Sequence, residues 1–272
     1  MTVGIDLTST VDWERRLAHM PVVSDVAFSL PERWWCDGST ARHALVWAVK
    51  EAVVKLLGTG FGSVGWQDVT VRPGVARPGS LADALRVNIS PTALEACRNT
   101  PLPQPLRCQV RHDGDLILAV VAAGPGRVAV EEQMVARASP LQLGGDPDRS
   151  SRAAVGEACR AAAREAGRRA VARLTGGPAQ WSTPQGGRPT VRWPCGATSA
   201  ASFAHHDDLA YAAVHDTRLT DLPIRASFPL IFNYDEGLLA GMRSSRRWVD
   251  IGTTEAAWFG QPQLTTALRP SA

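Results

Sequence analysis

Apolar and polar positions along the 272-residue chain fall into a small set of repeating patterns. The run TVGIDL, Thr2–Leu7, is apolar except for Thr2 and Asp6, and predicts a strand that begins almost at once. ARHALVWAVKEAVVKLLG follows with helical spacing: Val46, Val49, Val53, Leu56 and Leu57 recur at i, i+3 and i+4 intervals, and Gly58 stands where a helix would end. WQDVTV (Trp66–Val71) and ALRVNIS (Ala84–Ser90) alternate like half-buried strands, and TALEACR predicts a short helix. LRCQVRHDGDLILAVVAAG reads as a hairpin with Asp113-Gly114 at its turn.

The segment 136–152, ARASPLQLGGDPDRSSR, collects Ser, Gly, Pro and Asp, and marks a linker between a first unit, 1–135, and a second, 153–272. The second opens on a long Ala/Arg helix. GGRPTVRW then predicts a turn and strand, and SAASFAHHDDLAYAAVHD a second hairpin. The two hairpins share His-x-x-Asp-Leu before an apolar run, His112 to Leu116 in one and His205 to Leu209 in the other. A divergent internal duplication accounts for this, and so does a chance match between two hairpins. The tail beyond Asp221 has no counterpart in the first half and is left unassigned.

Composition narrows the class. Apolar residues make up 44% and charged residues 20%, the balance of a globular protein, and no run approaches the ~20 apolar residues of a membrane span. The first residues offer neither a basic segment nor a long apolar one, so no secretory signal is expected there. Five widely spaced cysteines without a CxxC argue against a disulfide framework or a zinc site, and favour a cytoplasmic setting. A net charge of +3 is too small to suggest nucleic acid, but suits anionic ligands or acidic partner proteins.

Two carboxylates stand out. Asp6 ends an apolar strand and Glu51 lies inside an apolar helix, and neither place suits a carboxylate without a partner. Converging, they would form a hard-oxygen site of the kind Mg²⁺ occupies with one or two carboxylates, water and phosphate. On spacing alone the simpler alternative is that Asp6 caps a turn and Glu51 pairs with Lys50 or Lys55, the latter at the favourable i+4 position.

Gly4-Ile5-Asp6 and, about forty-five residues on, Trp47-x-x-Lys50-Glu51-Ala52-x-x-Lys55 together resemble the paired signature of the 4′-phosphopantetheinyl transferase superfamily. The first 124 or so residues are similar in size and order to a holo-acyl-carrier-protein synthase protomer. The resemblance implies an α+β fold, here with two related α/β halves forming a pseudodimer in one chain rather than a homotrimer. It implies transfer of 4′-phosphopantetheine from coenzyme A to a serine of an apo acyl or peptidyl carrier protein, in fatty-acid or polyketide synthesis among others. Mg²⁺, or Mn²⁺, would sit on Asp6 and Glu51, with Glu51 as base and Lys55 on the pyrophosphate. No nucleic-acid or membrane partner is implied. The family's S-x-S-H hairpin, which holds coenzyme A, survives in the first half only as His112. In the second half Gly187-Arg188-Pro189 and Ser202-Phe203-Ala204-His205 match the coenzyme-holding motifs, while no KE helix is present. Lys50, Lys55, Arg42, Arg188, Ser202 and His205 are therefore the residues expected at coenzyme A, in one composite site with Asp6 and Glu51.

Departures from the pattern are specific. Val46 replaces the arginine usually found four residues before the KE lysine, with Arg42 one turn earlier; Asp12-Trp13 stand where a carrier-gripping arginine is usual; and Thr8 replaces a third carboxylate. They leave open a non-catalytic protein of this fold that binds carrier or coenzyme A, and a homo-oligomer in which His112 of a neighbour completes the site.

Overall fold

A computed structural model of the chain describes residues 3–61, 63–74, 83–95, 106–124, 127–135, 147–175, 180–182, 189–216 and 249–259. Strand β1 (Val3–Ser9) leads into three short helices, α1 (Thr10–His19), α2 (Val22–Ala27) and α3 (Leu30–Cys36), and then the long helix α4 (Thr40–Leu57). Strands β2 (Val69–Pro73) and β3 (Asp83–Ile89), helix α5 (Pro91–Glu95) and the hairpin β4 (Leu106–Asp113)–β5 (Leu116–Ala123) follow. Next come β6 (Arg127–Met134), the 29-residue helix α6 (Pro147–Thr175), β7 (Gln180–Ser182), β8 (Thr190–Arg192), the hairpin β9 (Thr198–His206)–β10 (Leu209–Asp216), and β11 (Val249–Phe259).

The strands form two sheets, ordered β1-β5-β4-β11-β3-β2 and β6-β10-β9-β8-β7. Helix α4 covers the outer face of the first. The inner faces of the two sheets meet in a core of Val3, Ile5 and Leu7 from β1, Leu118 and Val120 from β5, Val130 from β6, Ala204 from β9 and Tyr211 from β10. On the far side of the second sheet, α6 packs Cys159, Ala162 and Ala163 against Val135 and Ala210, and Ala170 and Val171 against Ala129 and Val214. The described residues thus stack as helix, sheet, sheet, helix, an α+β arrangement.

The alternation of β1 holds these layers in place. Gly4 and Asp6 turn toward α4, and Val3, Ile5 and Leu7 toward the second sheet. A Cβ on Gly4 would lie 1.9 Å from the carbonyl oxygen of Ala52, so only glycine lets β1 lie against the helix backbone. α4 is capped at Ser39, whose hydroxyl accepts the Arg42 N–H, and ends at Gly58 in the left-handed region (φ 81°). It is buried over most of its circumference, Ala44, Leu45, Ala48, Ala52 and Val54 joining the expected stripe.

Three expectations are corrected. The first hairpin turns on Gly114 and Asp115, with Asp113 still paired to Leu116 in β4. β6, which precedes the proposed linker, pairs with β10 in the second sheet, and α6 starts at Pro147, within the span assigned to the linker. From the tail, β11 inserts between β4 and β3, antiparallel to one and parallel to the other, so the sheets do not follow the division into 1–135 and 153–272. Residues 136–146 lie outside the described residues. Among the described residues no helix is long and apolar enough to cross a membrane, and Cys36, Cys108, Cys159 and Cys195 form no disulfide. Cys97 lies outside them.

The contact at Gly4 yields a prediction. Gly4→Ala forces β1 away from α4 and destabilises the protein by about 3 kcal/mol, toward the upper end of overpacking costs. A urea-unfolding midpoint unchanged from wild type would show that the layers are not held this way.

Candidate active site

The face of β1 that carries Asp6 meets α4 at Glu51 and Lys55. Lys55 Nζ donates to Asp6 Oδ1 at 2.8 Å and to the Ile5 carbonyl at 3.1 Å. Its side chain stays one-third exposed, so the ammonium faces both the carboxylate and solvent. Asp6 is nearly buried, with 8% of its surface accessible. Glu51, one turn before Lys55, accepts no hydrogen bond from the described residues. Burial pushes its carboxyl above the ordinary glutamate range, and the negative charge of Asp6 pushes it further; Lys55 and Arg16 oppose the shift. Two carboxylates crowded together with one shared ammonium leave a deficit of positive charge. This donor set suits a divalent cation, although among the described residues no cluster of three or more His, Cys, Asp or Glu side chains forms.

The second sheet reaches the same place. Ser202 Oγ on β9 accepts the Ile5 N–H at 3.1 Å, pinning β9 to β1. Three residues on, the exposed His205 is held below the ordinary histidine range, first by partial burial, then by the charges of Lys55 and His206; Asp6 pulls the other way and Arg160 adds to the depression. At neutral pH its imidazole therefore presents an N–H donor rather than a full positive charge. His206 faces α1, with Nε2 3.7 Å from Asp12 and 3.6 Å from Asp207.

Asp6, Glu51 and Lys55 lie together, with His205 in electrostatic reach of Lys55 and Asp6; Lys50, Ser202 and Arg42 make hydrogen bonds within the fold. Lys50 is fully buried, its Nζ donating to Glu32 Oε2 (2.9 Å) and to the carbonyls of Ala27 (2.8 Å) and Trp66 (2.9 Å). Glu32, equally buried, also accepts the N–H groups of Ser29 and Val71. Lys50 thus ties α2, α3 and the approach to β2 onto α4, with every ammonium proton engaged. Ser202 is 6% exposed and spends its oxygen on the Ile5 N–H, in the packed join between sheets. Arg42 sits at the start of α4, roughly 13 Å along the axis from Glu51, and donates to the Trp35 carbonyl. Arg188 lies outside the described residues. His112 is two strands from β1, paired with Ile117 and Val249, in the middle of the first sheet.

Arg16, His206 and Arg160 are near the site and were not anticipated as part of it. Arg16 rests over the rings of Trp13 (4.8 Å) and Trp47 (5.8 Å), within electrostatic reach of Glu51. Its i+3 spacing from Trp13 was the one available signal; nothing distinguished Arg160 among the arginines of α6.

Comparison with known proteins bears on this geometry. The profile of the 4′-phosphopantetheinyl transferase superfamily matches residues 2–120, spanning β1 to β5 and hence Asp6, Glu51 and Lys55. The holo-[acyl-carrier-protein] synthase of Anaeromyxobacter dehalogenans (strain 2CP-C) is 31% identical over 133 residues, which cover 45% of this chain and 97% of that protein. The chain belongs to the 4′-phosphopantetheinyl transferase superfamily. A synthase of the same description from Alkaliphilus metalliredigens (strain QYMF) is 39% identical over 72 residues, 25% of this chain and 59% of its own length. Among solved structures, the Helicobacter pylori holo-[acyl-carrier-protein] synthase in complex with coenzyme A is 22% identical, with a TM-score of 0.38 over 45% of this chain and 99% of that one. The family match ends before β6, so the sheet that carries Ser202 and His205 is an addition beyond the matched stretch of this transferase.

Two predictions follow from the carboxylates on and around α4. Glu32→Gln leaves the Lys50 ammonium buried without its counter-charge and costs about 3–5 kcal/mol; a change in unfolding free energy below ~1 kcal/mol, from urea denaturation, would refute the staple role of Lys50. Glu51 titrates higher folded than unfolded, so its contribution favours the fold at low pH and is lost as pH rises through the folded-state value. Glu51→Gln is therefore expected to raise the thermal midpoint at pH 7 in EDTA, by about 2–4 °C for each 1 kcal/mol relieved, and to leave it unchanged near pH 3. A fall at pH 7 would contradict the crowding.

Proposed function

We propose that this transferase moves 4′-phosphopantetheine from coenzyme A to a serine hydroxyl of an apo acyl or peptidyl carrier protein, releasing adenosine 3′,5′-bisphosphate, at one composite site built within a single chain. What carries the activity is membership of the superfamily together with 31% identity to a holo-[acyl-carrier-protein] synthase over nearly its whole length. What supports the composite site is the Ser202–Ile5 hydrogen bond, which sets His205 beside Lys55 and Asp6.

Coenzyme A is strongly anionic, and the groups that meet here suit its diphosphate. Asp6 and Glu51 would hold a divalent cation, Mg²⁺ or Mn²⁺, which supplies charge neutralisation at the diphosphate when bound. Lys55, exposed on one side and anchored by Asp6 on the other, is placed to contact the bridging region, where negative charge builds as the phosphorus–oxygen bond to the nucleotide breaks. His205 donates an N–H to an outer phosphate oxygen, and Arg188 remains a proposed partner there. The carrier serine Oγ attacks the phosphorus of the pantetheine-bearing phosphate. Glu51, directly or through a water molecule, is the proposed acceptor of its proton. Electron balance is kept: one P–O bond forms to serine, and one breaks to the adenosine bisphosphate. A cytoplasmic setting agrees with the four cysteines that form no disulfide among the described residues.

The test is incubation with coenzyme A, Mg²⁺ and apo carriers from fatty-acid, polyketide and peptide synthesis, read by intact-protein mass spectrometry. One added phosphopantetheine is expected, abolished by Glu51→Gln. Failure to modify any carrier would refute the activity. His205→Ala is expected to lower kcat/KM by tenfold or more, and His112→Ala by less than twofold; the reverse order would place the site between chains.

A further inference from the structure

The second sheet repeats the strand order of the first. Its order β6-β10-β9-β8-β7 follows β1-β5-β4-β3-β2 strand for strand once β11, inserted between β4 and β3, is set aside. A long helix stands between the first two counterpart strands in the chain, α4 before β2 and α6 before β7. The shared His-x-x-Asp-Leu sets the register: with Leu116 matched to Leu209, Ala119 matches Ala212 and Val121 matches Val214. Asp6 pairs with Ala119 and Gly4 with Val121, while Glu131 pairs with Ala212 and Ala129 with Val214. Glu131 therefore stands in the second sheet where Asp6 stands in the first, and it is likewise buried.

The helices match through the same contacts. Gly4 lies against Ala52 of α4, and its counterpart Ala129 packs with Ala170 of α6. Ala129 and Glu131, two residues apart on β6, share the face toward that helix. Setting Ala52 on Ala170 lays Lys50-Glu51-Ala52-Val53-Val54-Lys55-Leu56-Leu57-Gly58 over Arg168-Arg169-Ala170-Val171-Ala172-Arg173-Leu174-Thr175-Gly176. Four of the nine positions are identical and both lysines become arginines, so the alignment reached from the packing is also one of sequence. Charge reverses at a single place, where Glu51 is matched by Arg169.

That reversal changes what the junction can hold. By residue type, Asp6, Glu51 and Lys55 are two carboxylates and one ammonium, a formal −1 that a divalent cation offsets. Glu131, Arg169 and Arg173 are one carboxylate and two guanidiniums, a formal +1 that repels such a cation. Arg169 is exposed and donates through Nη2 to the Glu132 carbonyl, which places its guanidinium on β6 next to the Glu131 position. We infer that the junction of β6 and α6 is a second copy of the metal site, closed by Arg169, so that each chain takes up one divalent cation and a carboxylate at position 169 reopens the other place. This rests on the reading of Asp6 and Glu51 as metal ligands. The second half keeps the scaffold and gives up the metal, which leaves β9 and His205 to serve the centre on α4. Glu131 is one methylene longer than Asp6, so Arg169→Asp preserves the combined reach of the two carboxylates.

The experiment counts Mn²⁺ bound to the full chain by the loss of its free electron paramagnetic resonance signal, with thermal melts in EDTA and in Mn²⁺. Wild type is expected to take up one Mn²⁺ and Glu51→Gln none. Arg169→Asp is expected to take up two. The double variant Glu51→Gln, Arg169→Asp is expected to take up one, and its thermal midpoint to rise when Mn²⁺ is added. Arg168→Asp, one residue away on the exposed side of α6, stays at one. One Mn²⁺ in Arg169→Asp, none in the folded double variant, two in wild type, or two in Arg168→Asp overturns the inference and leaves the first site standing. If the double variant is unfolded in EDTA, refolding in Mn²⁺ supports the inference and failure to refold overturns it. Wild type without bound Mn²⁺, or Mn²⁺ retained by Glu51→Gln, overturns the metal reading of Asp6 and Glu51, and the inference falls with it.

Discussion

The structure depends on how closely β1 lies against α4. Because Gly4 has no side chain, the strand rests on the carbonyl of Ala52, and the next outward residue on the same face, Asp6, falls within 2.8 Å of Lys55. The opposite face of the same strand, Ile5 and Leu7, seals the join to the second sheet. One seven-residue strand thus sets both the spacing of the carboxylates and the approach of His205. The glycine of the Gly-Ile-Asp motif is a packing requirement first; the chemistry of the aspartate follows from where that packing leaves it.

The two lysines flanking Glu51 show how the same residue type divides between structure and chemistry. Lys50 and Lys55 are five residues apart, so they leave the helix in directions that differ by about 140°. Lys50 enters the side of α4 covered by α2 and α3, where burial pushes its pKa down; Glu32 opposes that shift, and with two carbonyls it keeps the ammonium satisfied. Removing either member of that pair leaves a lone buried charge, so the pair is costly to break whatever its net worth. Lys55 emerges at the seam between layers, held by Asp6 and the Ile5 carbonyl but open to solvent, as a cation must be if it is to meet an anionic ligand.

Much of this was legible in sequence where a local pattern coincided with a local cause. β1, α4, α6 and both hairpins announced themselves by period and turn chemistry, and Asp6 and Glu51 by being carboxylates in apolar settings. The helices between β1 and α4 did not: Val22, Val26, Leu30 and Trp34 are exposed, so their apolar residues trace no buried stripe. The exchange of β6 and β11 between sheets was equally hidden, since pairing across sheets depends on which edges are free after the chain has folded and not on either strand's own sequence. At the site, helical spacing told that Lys50 and Lys55 diverge, but not which would be covered; that was decided by α3, through Glu32. Ser202 matched a ligand-binding motif and became a strut, because its side of β9 is the side that meets β1.

That last substitution of roles explains the electrostatic state of the second sheet. With Ser202 committed to the join, β9 is held rigidly against β1, and His205 sits in a fixed position among Lys55, His206 and Arg160. In the free protein partial burial and then the charge of Lys55 outweigh Asp6 and hold the imidazole below the ordinary histidine range. On the proposed reading, an incoming diphosphate reverses the dominant local charge and raises the affinity of His205 for a proton. Ligand binding and proton uptake are then coupled at this residue. The coupling requires that β9 not yield as the charges change; the Ser202–Ile5 hydrogen bond and the apolar seam around it provide that resistance. The packing that joins the sheets is thus also what allows a histidine outside the family-matched stretch to respond to what binds at α4.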